Sequence, residues 1–249
     1  MILVAVAAMV VVVALVVLGR DEPVTPVSQD RLGPVLLVPG YGGSTTALEV
    51  LEAALDDTGR DARIVAPTGS GTQDLRDQAA DLGEAVDEVL AETGAPSVDL
   101  VGYSAGGVVV RIYVADLGGG STVRRAVTLA SPHHGSELAE LGGLIGSRVC
   151  PEACRQLAPD SELLRRLNAA DETPPGPAWV ALWTEDDETV VPADSGELTG
   201  ALAFATQSVC PSLRVAHADV PRTPAVIAMV EQVLGPGAPS RPSAGVCDA

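Results

Sequence analysis

Short apolar runs alternate along the chain with longer stretches in which apolar residues recur at helical spacing. Val35–Val38 (VLLV) predicts a buried strand, and Thr46–Asp57 predicts a helix. Ala62–Ala66 predicts a second strand. Asp74–Glu92 predicts a long helix carrying Leu75, Ala79, Leu82, Val86 and Leu90 on one face, stopped at Gly94 and Pro96. Val98–Val101 predicts a third strand, followed by a helix from Ala105 to Asp116. Val123–Ala130 and Ala178–Trp183 predict the fourth and fifth strands, Leu213–Ala216 a short sixth, and Pro224–Leu234 a closing helix. Strand and helix in turn imply an α/β fold, with a mostly parallel central sheet covered by helices on both faces.

Two stretches break this rhythm. Residues 132–177 hold Cys150, Cys154 and Pro174-Pro175, and predict a lid-like insertion. Residues 236–249 are rich in Gly, Pro and Ser and predict an irregular tail. Upstream, residues 20–33 read as a polar linker, which leaves 34–235 as the catalytic domain. Met1–Leu18 is apolar without interruption. That length reaches the membrane-spanning threshold and exceeds the usual signal-peptide core. Residues 1–19 are therefore expected to be an export segment, either a signal peptide or a membrane tether, with the body extracellular or facing outward.

The cysteines fit that compartment. Four of them (Cys150, Cys154, Cys210 and Cys247) follow an export segment, so two disulfides are expected. Four cysteines allow three pairings. Cys150 and Cys154 lie close enough for a local bridge, and Cys210 with Cys247 would then pin the tail. No spacing suggests a metal site. The chain has 249 residues, the size of one domain, and is expected to act as a monomer. It carries a formal net charge of −18 and no lysine. Acidity without a basic stripe excludes a nucleic-acid partner.

The candidate chemistry begins at Gly102-Tyr103-Ser104-Ala105-Gly106, a G-x-S-x-G between a predicted strand and a predicted helix. That context makes Ser104 a candidate nucleophile on a sharp turn where side chains at 102 and 106 would collide with backbone. A serine hydroxyl needs a base. Of the three histidines, only His217 falls late in the chain, on a loop before the last helix. His133 and His134 follow the fourth strand too closely and are expected to shape the wall beside Ser104. The orienting acid should lie on Glu185-Asp186-Asp187-Glu188, where four carboxylates compete. Asp187 is chosen, with Asp186 next, and the others are expected to face water. An oxyanion needs two amide donors. Ala105 supplies one and Tyr41, in the Gly-rich loop Val38–Gly43, the other.

At these residues the chain resembles the secreted bacterial class 2 lipases. The matching segments are the 35–43 loop, DLVGYSAGG at 99–107, LASPHHGS at 129–136, DETVVP at 187–192 and VAHADVPRTP at 215–224. The resemblance implies hydrolysis of acylglycerols or simpler esters without a cofactor. It also favours Asp187 as the acid, because the family places a valine three residues later and a proline five later, as Val190 and Pro192 stand here. Tyr103 and Ala105 occupy positions where many relatives carry histidine and methionine. The same triad could instead pass the acyl group to an alcohol. A binding domain on a retired hydrolase scaffold would have lost a triad member or an elbow glycine, and none is lost.

Overall fold

The computed structural model describes residues 24–66, 69–146, 148–169 and 171–249. The expected export segment, 1–19, lies outside them. Among the described residues no helix is long and apolar enough to cross a membrane.

Six strands form one sheet: β1 (Val35–Val38), β2 (Ala62–Ile64), β3 (Val98–Tyr103), β4 (Val123–Leu129), β5 (Ala178–Trp183) and β6 (Leu202–Ala205). Their order is β2-β1-β3-β4-β5-β6, and every pairing is parallel. Strands of this kind are buried on both faces, so alternate residues feed two cores. Leu36, Val38, Leu100 and Ala126 point to the layer holding α2 (Leu75–Thr93) and α3 (Ala105–Asp116). Val35, Leu37, Val101 and Val127 point to the layer holding α1 (Thr46–Asp57) and α7 (Pro224–Val233). This is an α/β-hydrolase fold, with the parallel sheet between two helical layers that the strand-helix rhythm predicts.

One expected strand is displaced. Residues 213–216 form no ladder, and the sixth strand is Leu202–Ala205 instead. The backbone of Val215 is committed to side chains. Its carbonyl accepts the Thr184 hydroxyl at 2.8 Å, and its amide donates to Asp186 Oδ2 at 3.2 Å. Val215 therefore has no backbone group left for a sheet edge.

The 132–177 insertion contains three helices, α4 (Glu137–Ile145), α5 (Glu152–Gln156) and α6 (Glu162–Asn168). α5 and α6 are part of the body: Ala153, Leu157, Leu163, Leu164 and Leu167 join the α2/α3 core. Arg111, buried in α3, donates to the Leu167 and Glu172 carbonyls and to Asn168 Oδ1. Only α4 buries none of its residues. The tail is less free than its composition suggests. Disulfides join Cys150 to Cys154 and Cys210 to Cys247, and Val246 is buried. Closing the loop of sequence separation 37 constrains the unfolded chain by about 4 kcal/mol on the chain-entropy account.

At the amino end of the sheet sits a buried charge cluster that sequence reading passed over. The fully buried Asp99 carboxylate accepts from Arg60 Nη2 at 2.6 Å and Arg124 Nε at 2.7 Å. Arg124 also donates to the Gln29, Leu234 and Gly235 carbonyls, and Arg125 donates to the Val233 and Gly237 carbonyls. These bonds tie the segment before β1 and the chain after α7 to the sheet. Removing Asp99 would leave two guanidinium groups facing each other without a counter-ion. Asp99→Ala is expected to lower the unfolding free energy by about 3–5 kcal/mol in urea titration. Any activity should persist in the folded fraction, because Asp99 is the second residue of the strand whose other end leads into Ser104. A change below about 1 kcal/mol would show that the cluster contributes little.

Candidate active site

The sheet brings its functional candidates to the carboxyl ends of neighbouring strands, where open parallel sheets place their crevices. Ser104 follows β3 directly, and α3 begins at the next residue. Its backbone has φ 53°, in the left-handed region that side chains disfavour. The turn is tight enough to need both glycines. A Cβ on Gly102 would lie 2.6 Å from the Gly107 amide, and one on Gly106 would lie 2.3 Å from the Val38 carbonyl oxygen. The Ser104 amide donates to the Leu129 carbonyl at 2.8 Å, so the elbow is also tied to the end of β4.

His217 opens a short 3-10 turn, residues 217–222, that packs against α1. Its Nε2 lies 3.0 Å from Ser104 Oγ and its Nδ1 lies 2.7 Å from Asp187 Oδ2. All three side chains are nearly buried. The other Asp187 oxygen, Oδ1, accepts the Thr189 and Val190 amides, each at 2.8 Å. The carboxyl group is thus clamped with one oxygen facing the imidazole.

Asp186 does not simply face water, contrary to expectation. Its Oδ2 accepts from Gln207 Nε2 at 2.9 Å and from the Val215 amide. The buried Gln207 also bonds Thr184 and the Glu185 amide. Asp186 and Gln207 together fasten the acid loop to the segment entering His217. Glu185 and Glu188 are exposed. Gln207 carries no signal in the sequence, since a lone glutamine between Thr206 and Ser208 resembles any surface position.

Tyr103 has a role that its position in the motif did not reveal. Its hydroxyl donates to the His217 carbonyl at 3.1 Å, and the two rings lie 5.2 Å apart. Burial first, then the Asp187 carboxylate, push the phenol well above its usual value, so it remains a donor. In the 35–43 loop, the Gly42 amide donates to Gly71 and the Gly43 amide to Gly40. Among the described residues no acceptor takes the Tyr41 or Ala105 amide. Ala105 opens α3, where helical amides lack internal partners and the helix dipole favours negative charge.

Two clefts meet at Ser104. One of about 180 Å³ runs under α4 and is lined by Pro132, Leu138, Ala139, Cys154, Leu157 and Val190. The other, about 280 Å³, is lined by Gly40, Ser44, Ala47, Tyr103, His217 and Ala218. Tyr41 and Thr189 border both. Neither cleft is lined by His133 or His134, which corrects their expected place in the wall. His133 is fully buried, with Nε2 3.0 Å from Thr128 Oγ1, and the exposed His134 pairs with Glu172.

The sequence pattern of the lipase (class 2) family matches residues 80–228, more than half of the chain. The chain belongs to the class 2 lipase family. Lipase B of Aspergillus fumigatus has a similar structure, with a TM-score of 0.71 at 18% identity over 92% of this chain and 60% of that one. The propeptide form of the Bacillus licheniformis lipase BlEst2 gives 0.70 at 19% identity, covering 90% of this chain and 54% of that one. Its mature form gives 0.65 at 19% identity, covering 86% and 96%. This class 2 lipase chain thus spans between half and two thirds of the first two structures it matches.

The burial of His133 makes a prediction about the stability of the chain. Desolvation, then Arg111 and His134, hold its imidazole well below the ordinary value of 6.5. The folded chain therefore keeps His133 neutral while the unfolded chain takes up a proton as pH falls below 6.5. Stability is present above that pH and is lost as pH falls. The unfolding free energy of the native protein minus that of His133→Gln is expected to fall by up to about 1.4 kcal/mol per pH unit between pH 6.5 and 5. Parallel curves for the two proteins would show that His133 is not the group responsible.

Proposed function

We propose that the protein is an exported carboxylic-ester hydrolase that works through a covalent acyl-enzyme on Ser104. The observation that carries this is the continuous line of hydrogen bonds from Ser104 Oγ through both His217 nitrogens to Asp187. Membership of the class 2 lipases supports an ester as substrate. Two disulfides support an oxidising compartment. The substrate is an acylglycerol or simpler ester, and no cofactor takes part.

The steps follow from the atoms. Ser104 Oγ attacks the ester carbonyl carbon while its proton passes to His217 Nε2. His217 Nδ1–H stays with Asp187 Oδ2, which fixes the tautomer and stabilises the imidazolium. The carbonyl oxygen becomes an oxyanion held by the Tyr41 and Ala105 amides, at the positive end of α3. His217 then gives its proton to the departing alkoxide, and the alcohol leaves. Water repeats the attack with His217 as base, releasing the acid and restoring Ser104. Tyr103 holds the histidine from behind through its carbonyl, and Asp186 holds the loop in place.

Three variants test this in purified, folded protein. Ser104→Ala should remove turnover of a soluble nitrophenyl ester. Asp187→Asn should lower kcat by about 10⁴-fold, because the histidine then rests in the wrong tautomer. Asp186→Asn should leave kcat within a few-fold and lower stability by about 1–2 kcal/mol, as the loss of charge-assisted bonds to Gln207 and Val215 requires. Asp186→Asn as the more damaging change in kcat would move the acid to Asp186. Comparable modest losses in both would place it on another loop.

A further inference from the structure

The two amides assigned to the oxyanion are held in different ways. Ala105 is the first residue of α3, and the helix fixes it. Tyr41 lies in residues 40–43, a turn closed on itself by the Gly43 amide on the Gly40 carbonyl at 3.0 Å. Among the described residues, one hydrogen bond joins that turn to the rest of the chain. It runs from the Gly42 amide to the Gly71 carbonyl, at 3.0 Å. The inner side of the turn is set by close packing, since a Cβ on Gly40 would stand 3.0 Å from Ser104 Cβ. Its outer side depends on Gly71.

A side chain has no space there. A Cβ on Gly71 would lie 2.5 Å from the Gly43 amide nitrogen and 2.8 Å from Gly43 Cα. The Gly71 backbone has φ 66°, in the region that favours glycine. The segment that carries Gly71 is pinned from the far side by α5. The Ala153 amide donates to the Thr72 carbonyl at 3.2 Å, and the Leu75 amide, at the start of α2, donates to Gln156 Oε1 at 2.8 Å. Ala153 and Gln156 are both buried. A side chain at 71 would therefore push the turn, whose Tyr41 is exposed, rather than its own segment. Restoring an ordinary contact of 3.4 Å requires a shift of about 1 Å.

We propose that Gly71 is a positioning residue for the reaction: its carbonyl and its lack of a side chain hold the 40–43 turn so that the Tyr41 amide meets the oxyanion. It acts through Tyr41 and touches no substrate. The proposal rests on the reading of the site in which Ser104 is the nucleophile and the Tyr41 and Ala105 amides are the oxyanion donors.

The test compares Gly71→Ala with Gly69→Ala in the full chain. Gly69 lies in the same segment with φ 60°, but a Cβ there meets only the end of the Gln73 side chain. Both variants thus carry similar backbone strain, and only Gly71→Ala presses on the turn. For each protein, kcat and KM are measured with nitrophenyl butanoate. Ki is measured with an alkylboronic acid, whose adduct on Ser104 places an oxygen where the oxyanion forms. Gly71→Ala should lower kcat about 100-fold, the effect of a group misplaced by about 1 Å, and leave KM within about threefold. Its Ki should rise in step with the loss of kcat/KM, as a transition-state analogue requires. Gly69→Ala should stay within about threefold of the native protein in kcat and Ki. A loss of active protein alone would lower kcat and leave Ki unchanged. That result, native kcat and Ki in Gly71→Ala, or equal losses in the two variants would each overturn the proposal. Should Gly71→Ala not be recovered folded, hydrogen exchange of the Gly42 amide in the native protein decides. It should be slowed at least about tenfold against a free peptide, and an unprotected Gly42 amide would overturn the proposal. Ester turnover that survives Ser104→Ala would instead overturn the reading of the site.

Discussion

At Ser104 the backbone adopts a positive φ of 53°, a conformation that costs a residue with a Cβ about 1–3 kcal/mol. That cost is met by the sheet. β3 enters the turn between β1 and β4 and is hydrogen-bonded to both, and α3 leaves it packed against α2. Neither element can relax the turn without breaking the ladder or the helix. The position of the hydroxyl is therefore a property of the whole α/β layer structure. The same turn sets Ser104 at the amino-terminal end of α3.

The partners of Ser104 come from loops, and loops need fastening. Asp187 is clamped by two amides of its own loop. That loop is tied through Thr184, Asp186 and Gln207 to the segment that delivers His217. Tyr103, one residue before Ser104, takes hold of His217 from the elbow side. Asp187, His217 and Ser104 thus share one network of side-chain bonds. A shift in one loop is passed to the others, which explains why a carboxylate that does not touch the imidazole still belongs to the site's architecture.

Legibility in the sequence followed physical distinctness. The helices α1, α2, α3 and α7 announce themselves by long apolar periods. Ser104 stands out because few turns require glycine both two residues before and two after a serine, and His217 because histidine is scarce. β6 carries little strand signal because two of the four residues of LAFA are alanine, a residue depleted in strands. Residues 213–216 look like a strand, yet both backbone groups of Val215 are spent on Thr184 and Asp186, a choice made by tertiary contacts alone. The Asp99–Arg124 cluster was hidden for a related reason. Two arginines in an apolar run look like an interruption until chain segments far apart in sequence converge to supply their acceptors.

The central claim, that Ser104 carries the acyl group, is tested most directly by trapping the intermediate. The native chain mixed with a slowly deacylating ester and quenched in acid should gain the mass of one acyl group less a proton. Fragmentation should place that mass on the peptide containing Ser104, and the Ser104→Ala chain should gain nothing. An adduct on another residue, or rapid ester turnover with no adduct at any quench time, would contradict the claim.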